Sequence, residues 1–152
     1  MERYCAYQDR CHSEVEGKLG EMGLIPEARE MILLHLLEQD YLNEERFSRS
    51  FARGRFRIKK WGRVRIEREL KLRGISGYNI RQGLSEIDEE EYGSVLMELA
   101  HGKYHSTLED HPLKRRKKVA DFLLRKGFES DRVYAVLLDL EKEDRSGTRR
   151  HF

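Results

Sequence analysis

Proline, cysteine and long apolar runs are all scarce in this 152-residue chain. The two cysteines, Cys5 and Cys11, are too few to staple a secreted scaffold, and no second cysteine pair suggests structural zinc. Both read as reduced thiols. The longest apolar run, Val133 to Leu138, falls far short of the ~20 residues that span a bilayer, and the N-terminus has no basic segment followed by an apolar one. These absences predict a cytoplasmic protein with no membrane association. A Gly-x4-Gly-Lys-[Ser/Thr] phosphate loop, a Gly-x-Gly-x-x-Gly turn and a Gly-x-Ser-x-Gly elbow are also missing, which argues against nucleotide hydrolysis and nucleophilic catalysis. The expectation is a protein that is not an enzyme and carries no cofactor and no catalytic residue.

What is present is charge and helix-forming side chains. Charged residues make up 38% of the chain and hydrophobic residues another 38%; the charged share is well above the roughly 25% of an average soluble domain. With only Pro26 and Pro112 to interrupt stretches rich in Glu, Lys, Arg and Leu, all-α is the natural fold class. The formal net charge is 30 − 28 = +2, a balance that rules out a histone-like polycation. It hides alternating blocks. Residues 1–40 hold 4 basic and 9 acidic side chains, and residues 41–75 hold 12 basic and 4 acidic. Residues 86–110 hold 1 basic and 8 acidic, and residues 111–127 hold 7 basic and 1 acidic. A polyanion would therefore meet strongly basic local surfaces.

Three segments share the pattern apolar-x3-Leu-x3-Gly-apolar: Val15…Leu19…Gly23-Leu24, Ile66…Leu70…Gly74-Ile75 and Val119…Leu123…Gly127-Phe128. Ten residues after the glycine stand Leu33, Leu84 and Leu137, and thirteen after it Leu36, Ile87 and Leu140, a helical i, i+3 spacing. Six after it stand Arg29, Ile80 and Val133, so the first copy departs there. Each unit reads as helix, left-handed glycine stop, helix. Further helical segments, about Asn43 to Lys60 and about Glu89 to Tyr104, join one copy to the next. The expected architecture is an elongated, curved array of three tandem three-helix repeats: 1–57 with a linker helix, 58–106, and 107–145, the last either truncated or finished by a frayed basic tail, 146–152. A repeat array leaves a long surface because each unit touches only its neighbours.

The linker helix has a credible start, with Asn43 as N-cap and Glu44 and Glu45 in its first turn. Phe47, Phe51 and Ile58 fall within about a 40° arc, which predicts the packing face, while Arg46, Arg49, Arg53, Arg57 and Lys60 form a basic ridge within about an 80° arc elsewhere. No acidic residue lies between Arg46 and Arg65, so the ridge lacks the i, i+4 glutamates that would relieve its self-repulsion. It reads either as a solvated face or as an anion-binding surface. Trp61 is either a packing residue or a platform for a base or a partner side chain, and Gly62 permits a tight start to the next helix or close approach of a neighbour. Arg63 and Lys71 lie near one side of that helix and join the candidates. Lys114, Arg115, Arg116, Lys117 and Lys118 open the third repeat at a helix N-terminus, where the dipole disfavours cations and an anionic partner would bring relief. His101 and His105 have the i, i+4 spacing of a metal pair, but Gly102 replaces the Glu of a zinc protease motif. No metal site is expected. Asp88-Glu89-Glu90-Glu91 reads as a helix start, not a metal cage.

Tyr41-Leu42-Asn43-Glu44-Glu45-Arg46-Phe47, then Trp61-Gly62-x3-Ile66-x3-Leu70-x3-Gly74-Ile75, then Leu123-Leu124-Arg125-Lys126-Gly127-Phe128 resemble the RecX regulatory proteins of bacteria, from about Tyr4 to Leu140. The chain departs from that pattern with Arg63 where many members have Pro, with Ile25-Pro26 in place of an acidic helix start, and with Arg29 at a usually aliphatic position. The resemblance implies a non-enzymatic negative regulator of the RecA recombinase; a monomer is expected, although the sequence leaves the oligomeric state open. Such a regulator binds the RecA filament on single-stranded DNA along its groove and limits filament growth, ATP hydrolysis, strand exchange and repressor cleavage, which places the chain in DNA repair, recombination and the SOS response. The alternative from the residues themselves is an autonomous nucleic-acid-binding protein; five phosphate contacts to a single strand would give a salt slope of about −3.5. A scaffold with no nucleic-acid role is the third reading.

Overall fold

The computed structural model describes residues 1–147, and among these it contains nine α-helices and no strand. The chain divides into two compact units, Met1–Ile58 with Ile66–Ile87, and Lys59–Arg65 with the residues from Asp88 onward. The expected glycine stops are left-handed, with φ of 71° at Gly23, 76° at Gly74 and 100° at Gly127. Each separates two helices: α2 (His12–Glu21) from α3 (Pro26–Glu38), α5 (Arg63–Leu72) from α6 (Gly77–Leu84), and α8 (Pro112–Lys126) from α9 (Ser130–Gly147). α1 (Glu2–Tyr7), α4 (Glu44–Arg57) and α7 (Glu89–Ser106) complete the set. The apolar pair four residues apart in each copy, Val15/Leu19, Ile66/Leu70 and Val119/Leu123, has no solvent exposure. This is the period-3.6 face on which the repeats were recognised.

In the first unit, Cys5, Val15, Leu19, Leu36 and Leu42 form a buried cluster against which Ile32 and Leu33 of α3 pack. Burial raises the pKa of the Cys5 and Cys11 thiols above the ordinary value, and both are free cysteines. α3 forms despite its altered start, because Pro26 occupies its first turn, where a missing N–H removes no helical hydrogen bond. The side chain of Asn43 caps α4 by accepting the Arg46 N–H at 2.9 Å. α4 meets α6 where both are smallest: Ser48 is fully buried, and a Cβ on Gly83 would stand 2.6 Å from the Ser48 carbonyl oxygen.

In the second unit, Asp88 caps α7 by accepting the Glu91 N–H at 3.0 Å, so the acidic run is a helix start. α7, α8 and α9 pack through Tyr92, Leu96, Ala100, Val119, Leu123, Val133, Leu137 and Leu140, all buried. Residues 59–65 dock on the C-terminal end of α8. There the Gly62 N–H donates to the Lys126 carbonyl at 2.8 Å and the Val64 N–H to the Gly127 carbonyl at 2.9 Å, satisfying acceptors that a helix end leaves without an intrahelical partner. α9 continues to Gly147, taking in the first two residues of the expected tail; residues 148–152 lie outside the described residues.

Two expectations for the linker helix are corrected. α4 ends at Arg57, and Lys60 turns the chain with φ of 56°, so Lys60 leaves the ridge. Ile58, placed on the packing face by its arc, is 81% exposed because the helix stops before it. Phe56 fills the core instead, at 1% exposure.

Candidate functional site

The basic ridge of α4 lies beside carboxylates brought from other elements. Arg46 bonds Asp9 through Nε at 2.6 Å and Asp40 through Nη1 at 3.1 Å, and also donates to the Asp40 and Tyr41 carbonyls. Burial pulls its pKa down, but the hydrogen bond and charge of Asp9, with Asp40, more than offset this and leave it raised. The close crossing at Ser48 and Gly83 lets Arg49 reach Gln82 at 2.8 Å and Glu86 at 3.3 Å, while Arg53 reaches the other oxygen of Glu86 at 2.5 Å. The self-repulsion inferred from sequence is therefore relieved within this unit, by Gln82 and Glu86, 33 to 37 positions away, and by Glu45, an i, i+4 glutamate 3.4 Å from Arg49 that corrects the expectation of none. Arg53 remains exposed, with 44% of its side chain accessible. Arg57 is exposed at the end of the helix.

On α5, Lys71 pairs with Glu67 at 3.1 Å and Arg73 with Glu69 at 3.2 Å. Those pairings leave Arg68 exposed with no carboxylate in ion-pair range among the described residues. Arg68 is not among the cations that the sequence singles out. Arg55 and Arg73 both lie over the Phe51 ring, 4.5 Å and 4.8 Å from its centroid, beside a cleft of about 250 Å³.

The basic run of α8 is also partnered from within its unit. Arg115 donates twice to the Tyr104 carbonyl, at 3.0 and 2.6 Å, and lies 4.1 Å over the Tyr104 ring. A cation near the C-terminal end of α7 faces the negative end of that dipole. Arg116 grips Glu141 through two bonds of 2.6 Å, and this hydrogen-bonded carboxylate raises its pKa. Lys117 pairs with Asp121 at 3.1 Å and Lys118 with Glu109 at 3.2 Å; the Lys118 hydrogen bond, with the His111 N–H, lowers the pKa of Glu109. Lys114 is exposed with no carboxylate in ion-pair range among the described residues.

Arg63 belongs to a clamp at the start of α5. Its N–H donates to the Tyr92 hydroxyl at 2.9 Å, and that hydroxyl in turn donates to Glu129. The guanidinium stacks 3.9 Å from the Tyr92 ring and reaches Glu89 at 2.5 Å and Glu129 at 3.4 Å, while Arg132 also bonds Glu89. Burial of the Tyr92 hydroxyl, reinforced by its bond to Glu129, raises its pKa. Trp61 is half-buried with the Arg65 guanidinium 4.1 Å over its ring. The His101 and His105 rings lie 4.3 Å apart, and among the described residues no group of three or more His, Cys, Asp or Glu side chains is arranged to hold a metal ion. No helix among them is long and apolar enough to cross a membrane.

Two family descriptions match the chain: the second three-helix domain of RecX over residues 43–84 and the third over residues 89–137. The chain belongs to the RecX family. A regulatory protein RecX of Lactobacillus johnsonii is 31% identical over 143 residues, covering 93% of this chain and 53% of that protein. One of Prosthecochloris aestuarii is 29% identical over 137 residues and covers 90% and 88%. The chain thus spans about half the length of its Lactobacillus relatives. A solved regulatory protein RecX superposes with a TM-score of 0.80 at 27% identity, covering 90% of this chain and 68% of that one. The RecX of Lactobacillus salivarius gives 0.79 at 23% identity over 91% and 90%, a likeness of fold alone. RecX proteins are a family of regulatory proteins. The RecX family's second three-helix domain opens on the Asn43 cap of α4, and its third on α7.

Proposed function

We propose that this RecX protein is a negative regulator of the RecA recombinase, binding the RecA filament on single-stranded DNA and limiting its growth, ATP hydrolysis and strand exchange. Membership of the RecX family carries the reading. The surface chemistry supports it: each unit bears cations at a helix edge, and surface ion pairs contribute only about 0–1 kcal/mol. Exposed arginines and lysines can therefore exchange an internal carboxylate for a phosphate or an acidic filament side chain at little loss. Such contacts set orientation and register.

We assign the contacts to Arg49, Arg53 and Arg57 on α4 and Arg68 and Lys71 on α5 in the first unit. In the second unit they fall to Lys60 and to Lys114, Lys117 and Lys118 at the start of α8. We assign Arg46, Arg63, Arg115 and Arg116, each with internal polar bonds, to positioning the helices, whereas Arg49, which also bonds Gln82 and Glu86, exchanges those partners on binding. The protein acts in the cytoplasm as a monomer, without cofactor and without catalysis of its own.

A binding titration tests this against naked and RecA-coated single-stranded DNA across a range of salt. The regulator reading predicts tight binding to the coated strand and weak binding to the naked one. Tight binding to naked DNA at physiological salt, with a slope near that of five phosphate contacts, about −3.5, would instead make the chain an autonomous nucleic-acid-binding protein.

A further inference from the structure

α3 has two apolar faces, and among the described residues only one is covered. Ile32, Leu33 and Leu36 lie within about a 100° arc of the helix and join the buried cluster of the first unit. On the opposite side Met31, Leu34 and Leu37 follow one another at i, i+3, i+6, and they are 72%, 57% and 42% exposed. Glu27, Glu30 and Glu38 fall in the same arc of about 120°, all exposed. The face therefore reads acidic at its first turn, apolar through its middle and acidic at its end, over positions 27, 30, 31, 34, 37 and 38, the spacing of a helix that packs on two sides.

Neither feature is explained by the chain's own fold. A helix that carries apolar side chains on two opposite faces is one that expects contacts on both, and Met and Leu in a stripe of this kind are docking side chains more than solvated ones. Glu38 is the last residue of α3, where the dipole disfavours a carboxylate, and it has no cation partner among the described residues. Glu27 and Glu30 likewise make no ion pair there. A second copy docking through the same face would set carboxylates against carboxylates in either orientation, with 27 and 30 opposite 38 when antiparallel and like on like when parallel.

We propose that the outer face of α3 is a protein-docking surface, whose occupant is an apolar patch of the recombinase bordered at both ends by lysine or arginine. This rests on the RecA reading above and adds to it a contact made by an acidic, apolar helix rather than by the cationic ridges. Apolar burial supplies the affinity and the terminal carboxylates supply the register.

The test uses the full chain, wild type, Met31→Ser/Leu34→Ser and Glu30→Lys/Glu38→Lys. Binding to RecA-coated single-stranded DNA is followed by fluorescence anisotropy, helical content by circular dichroism and self-association by sedimentation velocity. The expected result is at least tenfold weaker binding for the folded serine variant and a several-fold loss for the charge reversal. If the serine variant fails to fold, the charge reversal, confined to exposed positions, decides alone. Unchanged binding by folded variants would overturn the docking face while leaving the regulator reading intact. A dimer that the serine variant dissociates, with filament binding unaltered, would assign the face to a second copy and overturn it too. Absence of wild-type binding to the coated strand would overturn both readings together.

Discussion

Gly62 and Gly127 hold a close backbone approach in the second unit, one that depends on the absence of side chains. A Cβ on Gly62 would stand 2.3 Å from the Gly127 carbonyl carbon, and one on Gly127 would stand 2.3 Å from the Arg65 Cβ, at φ of 100°. Gly62→Ala is therefore expected to destabilise the protein by about 3 kcal/mol or more, read by chemical denaturation. Gly54→Ala, inside α4 with nothing within 4 Å of the new Cβ, should stabilise by about 0.5–1 kcal/mol. Beside this crossing, the Arg63 N–H donates to the Tyr92 hydroxyl, a bond that a proline at this position could not make. An unfolded tyrosine ionises near pH 10, whereas Tyr92 keeps its proton to higher pH through burial and its bond to Glu129. The stabilisation this provides is fully present below about pH 10 and is lost as pH rises toward the folded-state value. Tyr92→Phe should cost about 1–2 kcal/mol at neutral pH and flatten the alkaline fall in Tm, measured by thermal scans from about pH 8 to pH 11.

Among the elements, α2 to α9 were legible, whereas α1 and the partners that the helices take were not. The glycine stops, the Asn43 and Asp88 caps and the buried Val/Leu and Ile/Leu pairs are local signals, each contained within a few residues, and each appears in the structure where the sequence puts it. Beside the local Arg49–Glu45 pair at i, i+4, the ridge of α4 is relieved at long range: Arg46 finds Asp9 and Arg49 finds Glu86, each 37 positions away. Helical periodicity carries no information about such pairs. The C-terminal end of α4 was misplaced for a related reason, since the left-handed turn at Lys60 is made by a residue type with no preference for it. Glu86 now becomes the informative position, as it holds both Arg49 and Arg53. Glu86→Gln should lower stability by no more than about 1 kcal/mol, because both pairs are partly exposed. It should also tighten binding to RecA-coated DNA several-fold at low salt by releasing the two guanidiniums, an effect that anisotropy at two ionic strengths would reveal.

At the scale of the whole molecule, three repeats and alternating charge blocks were readable because both are sums over many residues and survive local departures such as Ile25-Pro26 and Arg29. What composition could not supply was the distribution of roles among the cations. Arg46, Arg63, Arg115 and Arg116 are bound into the fold, while Arg53, Arg68 and Lys114 stand at its surface. A regulator that engages a filament through such cations should act on the filament's own chemistry. The most direct measurement is RecA ATP hydrolysis on single-stranded DNA, titrated with the wild-type chain and with Arg49→Glu/Arg53→Glu checked for retained helical content. Inhibition below one chain per RecA protomer, weakened in the folded double variant, is the predicted result. Unchanged hydrolysis at several-fold excess of wild-type chain over RecA would contradict it.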